Sequence, residues 1–213
     1  MNIKNRYIYV DFYMSIIRKV RAVERIYDGL SKEIEAFQQA SQIHCLTGCG
    51  KCCNKADIEA SPLEFLPLAF HWFLNHEAEV KLQALQQNST SICSLYTSSI
   101  ENLMKGSCEQ YAYRGLICRL FGYAAAKDKL GELRLITCKI IKEQQVDHYT
   151  KAVELLKKGG EVPIFSDYYK KLLQIDFYWG NQVLPVNKAI EKALEIVLNY
   201  YAYRPFPKFK KAS

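Results

Sequence analysis

A chain of 213 residues, 49% apolar and 24% charged, has the composition of a folded globular protein and enough length to bury a core without disulfides. Its longest apolar stretch, Ile58 to Leu74, is interrupted by Glu59, Glu64, Pro62, Pro67 and His71, which excludes a membrane span; with no signal-peptide or lipidation pattern either, the expected location is the cytoplasm. The net charge of +7 gathers at the ends, where Lys4, Arg6, Arg18, Lys19 and Arg21 face only Asp11, and Arg204, Lys208, Lys210 and Lys211 face no acid. No nucleic-acid motif accompanies this charge, so both ends read as solvated termini and nucleic acid is not an expected partner.

In chain order, residues 17–40 are predicted to form an amphipathic helix, because Val20, Val23, Ile26, Tyr27, Leu30, Ile34 and Phe37 recur at three- and four-residue steps. A cysteine-rich loop follows, with a short extended exit at Asp57–Ala60. Ser61, with Pro62 next and Glu64 three residues on, is a helix start with a capping box. That helix runs through His71–Phe73, breaks near Asn75 and resumes to about Gln87. Helical turns are predicted at Glu101–Lys105 and Glu109–Arg114. Cys118–Tyr123 and Leu133–Cys138 read as two strands around a turn at Asp128–Gly131, a hairpin that would bring Cys118 and Cys138 together. The remainder is helical over 142–158, 166–178 and 187–202. The predicted class is a mainly α protein with a central cysteine-rich metal-binding module containing a short β-hairpin. It divides into an N-terminal helical segment (1–42), the module (43–140) and a C-terminal helical segment (141–213), all packed as one domain.

The eight cysteines, Cys45, Cys49, Cys52, Cys53, Cys93, Cys108, Cys118 and Cys138, all lie in the middle of the chain. Disulfides suit a secreted scaffold and not this one. Ordinary buried thiols do not explain Cys45-Leu-Thr-Gly-Cys49-Gly-Lys-Cys52-Cys53, a Gly-containing loop crowded with sulfur. Metal ligation does. Short Cys-x3-Cys and Cys-x2-Cys spacings let one turn aim several sulfurs at one point, at about 2.3 Å from the metal. Gly48 and Gly50 permit the positive φ such a turn requires, their N–H groups can bond to thiolates, and Lys51 would favour the thiolate form. Neighbouring side chains in extended backbone point apart, so Cys52 and Cys53 serve two metals, or one of them lies outside the shell. Two four-thiolate sites and one cluster with spare thiols both remain open.

The run Cys45-x3-Cys49-x2-Cys52-Cys53 resembles the signature of the bacterial CxxxCxxCC cysteine-cluster family, whose members are often called YkgJ-type proteins and are associated with zinc or iron chelation. The later segment Cys108-Glu-Gln-Tyr111-Ala-Tyr-Arg114-Gly115-Leu-Ile-Cys118-Arg119-Leu-Phe121, with Cys93 before it and Cys138 after it, extends the resemblance over about residues 43–140. Gly115 stands where the family usually has proline. The resemblance implies chelation of zinc or iron, with an iron–sulfur cluster as one form of it. Some relatives carry the module in proteins linked to lysine methylation of flagellin, but no separate domain here would supply that activity.

Cys-x3-Cys-x2-Cys is also the spacing of a radical-SAM cluster, but the strand–helix repeats of that barrel are missing. His44 is a candidate ligand or neighbour of the site. His71 and His76 are not at the i, i+4 spacing of a helical zinc pair, and His148 reads as alone on a polar face. Arg114 and Arg119 are candidates to offset the net −2 that four thiolates leave around a divalent ion, against a surface or capping role. The tyrosines at 168–169 and 200–203 read as core and rim, and no protein partner is identified. The expectation is a metal-binding protein with a structural, storage or chaperone role. The alternative is an iron–sulfur-dependent oxidoreductase or methylation-linked enzyme, which would need an open coordination position beside a pocket.

Overall fold

The computed structural model describes residues 14–46, 48–98 and 106–207. The expected turn at Glu101–Lys105 lies outside them, as do Lys4, Arg6, Asp11, Lys208, Lys210 and Lys211. The described residues form a mainly α protein with three small antiparallel two-stranded sheets.

Helix α1 (Ile16–Ser41) buries Val20, Val23, Tyr27, Leu30, Ile34 and Phe37, the stripe read from the sequence. Each such aliphatic or aromatic side chain contributes roughly 1.5–3 kcal/mol of transfer free energy, so this face fixes the helix in place. Ser15 caps it, its hydroxyl accepting from the Arg18 N–H at 3.4 Å. Strand β1 (Glu59–Ala60) leads to a 3-10 turn at Pro62–Phe65 that carries the predicted capping box between Ser61 and Glu64. Helices α2 (Leu66–Leu74) and α3 (Ala78–Gln87) follow, separated near Asn75 as expected. The hairpin of β2 (Tyr96–Ser98) and β3 (Gly106–Cys108) comes next, then a 3-10 turn at Tyr111–Tyr113 and the short helix α4 (Leu116–Leu120).

A second hairpin pairs β4 (Ala124–Lys127) with β5 (Leu133–Ile136). The carboxylate of Asp128 closes its turn by accepting from the N–H groups of Leu130 and Glu132. Here the sequence reading needs correction: Cys118 and Arg119 lie in α4, and the strand begins only at Ala124. Cys118 is therefore not on the hairpin and does not sit across from Cys138. The chain ends in α5 (Lys139–Gln144), α6 (Val146–Lys157), α7 (Phe165–Leu173), α8 (Phe177–Gly180), β6 (Leu184–Pro185) and α9 (Val186–Tyr201). Strand β6 pairs with β1.

Helix α9 packs on α2 and α3, and α1 packs on α2, α6 and α7. The larger core gathers Leu30, Leu63, Phe65, Leu116, Leu172 and Ile190, all nearly inaccessible to solvent. A smaller core joins Phe37 and Ile43 to Leu135, Ile141, Ala152 and Leu156 and anchors the chain entering the cysteine loop, while Ala60 anchors its exit in the larger core. Lys19 is not a solvated terminal charge. It is buried, pairs with Asp176 at 2.5 Å and lies over the Trp179 ring.

Candidate metal centre

The cysteine loop leaves α1 through Gln42, whose left-handed backbone (φ 65°) ends the helix. Ile43 is fully buried. The next residue, His44, is gripped by the buried side chain of Gln145, which accepts its N–H at 3.1 Å and donates to its carbonyl at 2.7 Å. The Cys45 N–H donates to the Tyr123 hydroxyl oxygen at 2.8 Å. The loop then turns tightly, with the N–H groups of Cys53 and Asn54 both donating to the Gly50 carbonyl. Gly50 has φ +56°, and a Cβ there would lie 2.6 Å from the Gly106 oxygen and 2.8 Å from the Tyr96 ring. Only glycine allows the loop to lie this close to the β2–β3 hairpin. The Gly106 N–H, donating to the Gly48 carbonyl at 3.1 Å, fastens it there.

That hairpin carries Cys108, paired across the ladder with Tyr96, and Cys93 stands just before it. The backbone amides of Leu95 and Tyr96 lower Cys93 and that of Gln110 lowers Cys108, against the burial that raises both, and the Tyr96 N–H donates to the Cys93 carbonyl at 3.0 Å. Cys138 caps α5, its sulfur accepting the Ile141 N–H at 3.5 Å. Such N–H···S contacts stabilise the negative sulfur that a metal binds.

Cys118 is placed by Glu64. This carboxylate is fully buried. One oxygen accepts from the Ser61 N–H at 2.8 Å and from its hydroxyl at 3.1 Å; the other accepts the Ile117 N–H at 3.0 Å. Glu64 thus holds the first turn of α4, and Cys118 is on that turn. Burial raises the Glu64 carboxyl above its ordinary range against these bonds, which lower it.

All eight thiols are free. Burial and neighbouring thiols shift several of them. Cys45 is pushed up to about 11, by burial first and then by Cys52, Cys49 and Cys138. Cys118 is pushed up to about 12, by burial and then by Glu64, Cys93 and Cys108, with Cys52 weaker. Burial also raises Cys93 and Cys108. Cys52 and Cys53 lie in a turn and not in extended backbone, and each shifts the other: the Cys53 thiol lowers Cys52 to about 6, while Cys53 is raised by Cys52, by burial and then by Cys118 and Cys108.

Arg114 lowers Cys45, Cys52 and Cys108. Its guanidinium lies over the Tyr111 ring, 3.8 Å from the centroid. Arg119 is employed differently. It packs over the Tyr27 ring at 4.3 Å and donates to the carbonyls of Arg114 and Ala112, clamping the backbone that presents Arg114. Among the described residues, no three His, Cys, Asp or Glu side chains converge on one point as a finished coordination shell would. The donor chemistry fits zinc or iron, with eight free thiols, backbone amides that lower Cys93 and Cys108, and one arginine that lowers three of the thiols.

Three contributors were not read from the sequence as site residues. Glu64 gave only its capping-box signal. Tyr123 and Gln145 reach the loop from distant segments, and no local pattern marks them. Of the histidines, His71 stacks on Tyr113 at 4.4 Å, away from the loop. His148 is not alone, because its ring centroid is 6.2 Å from that of His44.

A mainly α scaffold that draws its eight thiols from a loop, one hairpin and two helix starts is a cysteine-cluster protein. Residues 44–151, a little over half of the 213-residue chain, match the CxxCxxCC family, described as "Putative zinc- or iron-chelating domain". The chain belongs to that family. No curated protein and no solved structure matches it. Among the described residues no helix is long and apolar enough to cross a membrane.

Proposed function

We propose that the protein holds zinc or iron in two four-thiolate groups and catalyses no reaction of its own. Cys45, Cys49, Cys52 and Cys138 form the first group; Cys53, Cys93, Cys108 and Cys118 form the second. The observation that supports this reading is that Cys45 responds to Cys52, Cys49 and Cys138 while Cys118 responds first to Cys93 and Cys108, with Cys52 acting on Cys53, Cys108 and Cys118 as the thiol nearest both groups.

A metal bound in each group would supply a cross-link, tying the loop after α1 to the start of α5 in the first and to the β2–β3 hairpin and α4 in the second. The remaining work belongs to the chain. Arg114 offsets the charge that four thiolates leave around a divalent ion. Arg119 holds the loop that carries Arg114. Glu64 sets the direction of Cys118, and Tyr123 and Gln145 fix the backbone entering Cys45. Eight thiols for two ions leave no open position, which favours a structural, storage or chaperone role over catalysis. Free thiols in this number suit a reducing compartment such as the cytoplasm.

The test is metal and acid-labile sulfide analysis, with an absorption spectrum, on protein purified without oxygen. Two zinc or iron ions per chain without sulfide support the reading. Iron with sulfide and a broad band near ~400 nm would replace it with an iron–sulfur protein. Absence of metal with oxidised thiols would overturn it.

A further inference from the structure

The pair His44 and His148 lies outside the eight thiols and has the marks of a separate metal site. The His44 ring places Nδ1 at 3.2 Å from the Gln42 carbonyl oxygen. When that nitrogen donates the bond, the tautomer is fixed and Nε2 keeps its lone pair free, the usual arrangement of a metal-binding imidazole. The backbone of His44 is held on both sides by Gln145. Across from it, Nδ1 of His148 is shielded from solvent and has no hydrogen-bond partner among the described residues. A shielded polar nitrogen without a partner is costly unless something supplies one.

The spacing is about 1 Å wider than a shared ion requires, a gap that small ring rotations close. With Zn–N bonds of about 2.0–2.1 Å, each ring centroid lies about 3.2 Å from the metal, so two imidazoles at the tetrahedral angle have centroids about 5.2 Å apart. The observed separation is 6.2 Å with the ring planes inclined at 51°, a tilted arrangement and not a stack. Because no three-residue donor group forms among the described residues, water would complete the coordination, and the site would release its ion readily. The chain position adds a direction: His44 precedes Cys45, one of the two exposed thiols of the eight.

We propose that His44 and His148 form a second, exchangeable site for a divalent first-row cation at the exposed edge of the Cys45 group. The metal-binding site itself does not depend on the two-group thiol reading; its position beside a thiolate centre does.

The test is a Zn2+ titration of the full-length reduced protein, followed by the ring C–H resonances of its histidines. The tight equivalents taken by thiols are counted first by isothermal titration. Beyond them, the proposal predicts that His44 and His148 shift together along one saturation curve. In His148→Gln the His44 shift should require at least ~10-fold more zinc, since one of two ligands is gone. His44→Gln should do the same to His148, which covers the case in which one variant folds poorly. Rings that do not shift, or a His44 curve unchanged in His148→Gln, would overturn the proposal. If the thiols take no zinc at all, the thiolate reading fails visibly in the first phase while the imidazole result is still read in the second.

Discussion

Replacing Glu64 by glutamine should weaken the fold and loosen one metal group selectively. The carboxylate satisfies three donors in a place water does not reach: the Ser61 N–H, the Ser61 hydroxyl and the Ile117 N–H. Glutamine keeps one acceptor oxygen. If that oxygen stays with Ser61, the new NH2 faces the Ile117 N–H, donor against donor. A buried donor left unsatisfied costs about 1–3 kcal/mol. For a chain of this size that corresponds to a Tm lower by roughly 2–12 °C. Because α4 carries Cys118, the variant should also hold one metal more weakly and keep the other. The pH dependence gives an independent sign. The folded carboxyl is raised above its ordinary value of 4.5 by burial, so the folded state retains a proton that the unfolded state releases. That contribution to stability is complete below about pH 4.5 and is lost as pH rises through the raised folded value. Glu64→Gln should remove this component of the stability–pH curve. Calorimetry of the metal-free protein, with metal counting on the loaded protein, reads all three. An unchanged Tm with both metals retained would refute the positioning role of Glu64.

Gly50→Ala adds a Cβ at 2.6 Å from the Gly106 oxygen on a backbone with φ +56°. It should cost about 1–3 kcal/mol by overpacking and strain and reduce metal content, read by denaturation and metal analysis. Asp176→Ala removes the carboxylate that pairs with the buried Lys19 ammonium and should cost about 1.5–3 kcal/mol in a urea titration. Arg114→Gln removes the cation that lowers Cys45, Cys52 and Cys108. Protons then compete better for the thiols, and the midpoint of metal loading should move to higher pH by up to ~1 unit. Leu30→Ala, at a fully buried position of α1, should cost about 2–5 kcal/mol and leave metal stoichiometry unchanged.

Much of the fold was legible wherever a pattern repeats over several turns. The stripe from Val20 to Phe37 placed α1, and Ser61-Pro62 with Glu64 placed the start of the segment leading into α2. Short elements were not legible. Helix α4 is a five-residue turn, too brief for periodicity to separate from a strand, and the apolar run around Cys118 was read as one. Its helical form depends on Glu64, a contact across the fold. The cysteines announced a metal-binding module by spacing alone, but the partition proposed above did not follow from spacing. It rests on where the β4–β5 hairpin and α5 carry Cys138. Lys19 and His148 were misread for the same reason: each looks exposed along the sequence, and each has its partner in a distant segment, Asp176 and His44.

The most direct test of the two-group account is native mass spectrometry of the metal-loaded protein beside its Cys138→Ser and Cys93→Ser variants. The account predicts two metals in the parent chain and one in each single variant. It further predicts that Cys138→Ser with Cys49→Ser still holds one metal, while Cys138→Ser with Cys93→Ser holds none. Retention of both metals in either single variant, or loss of both from one of them, would contradict the division of the thiols into two independent fours.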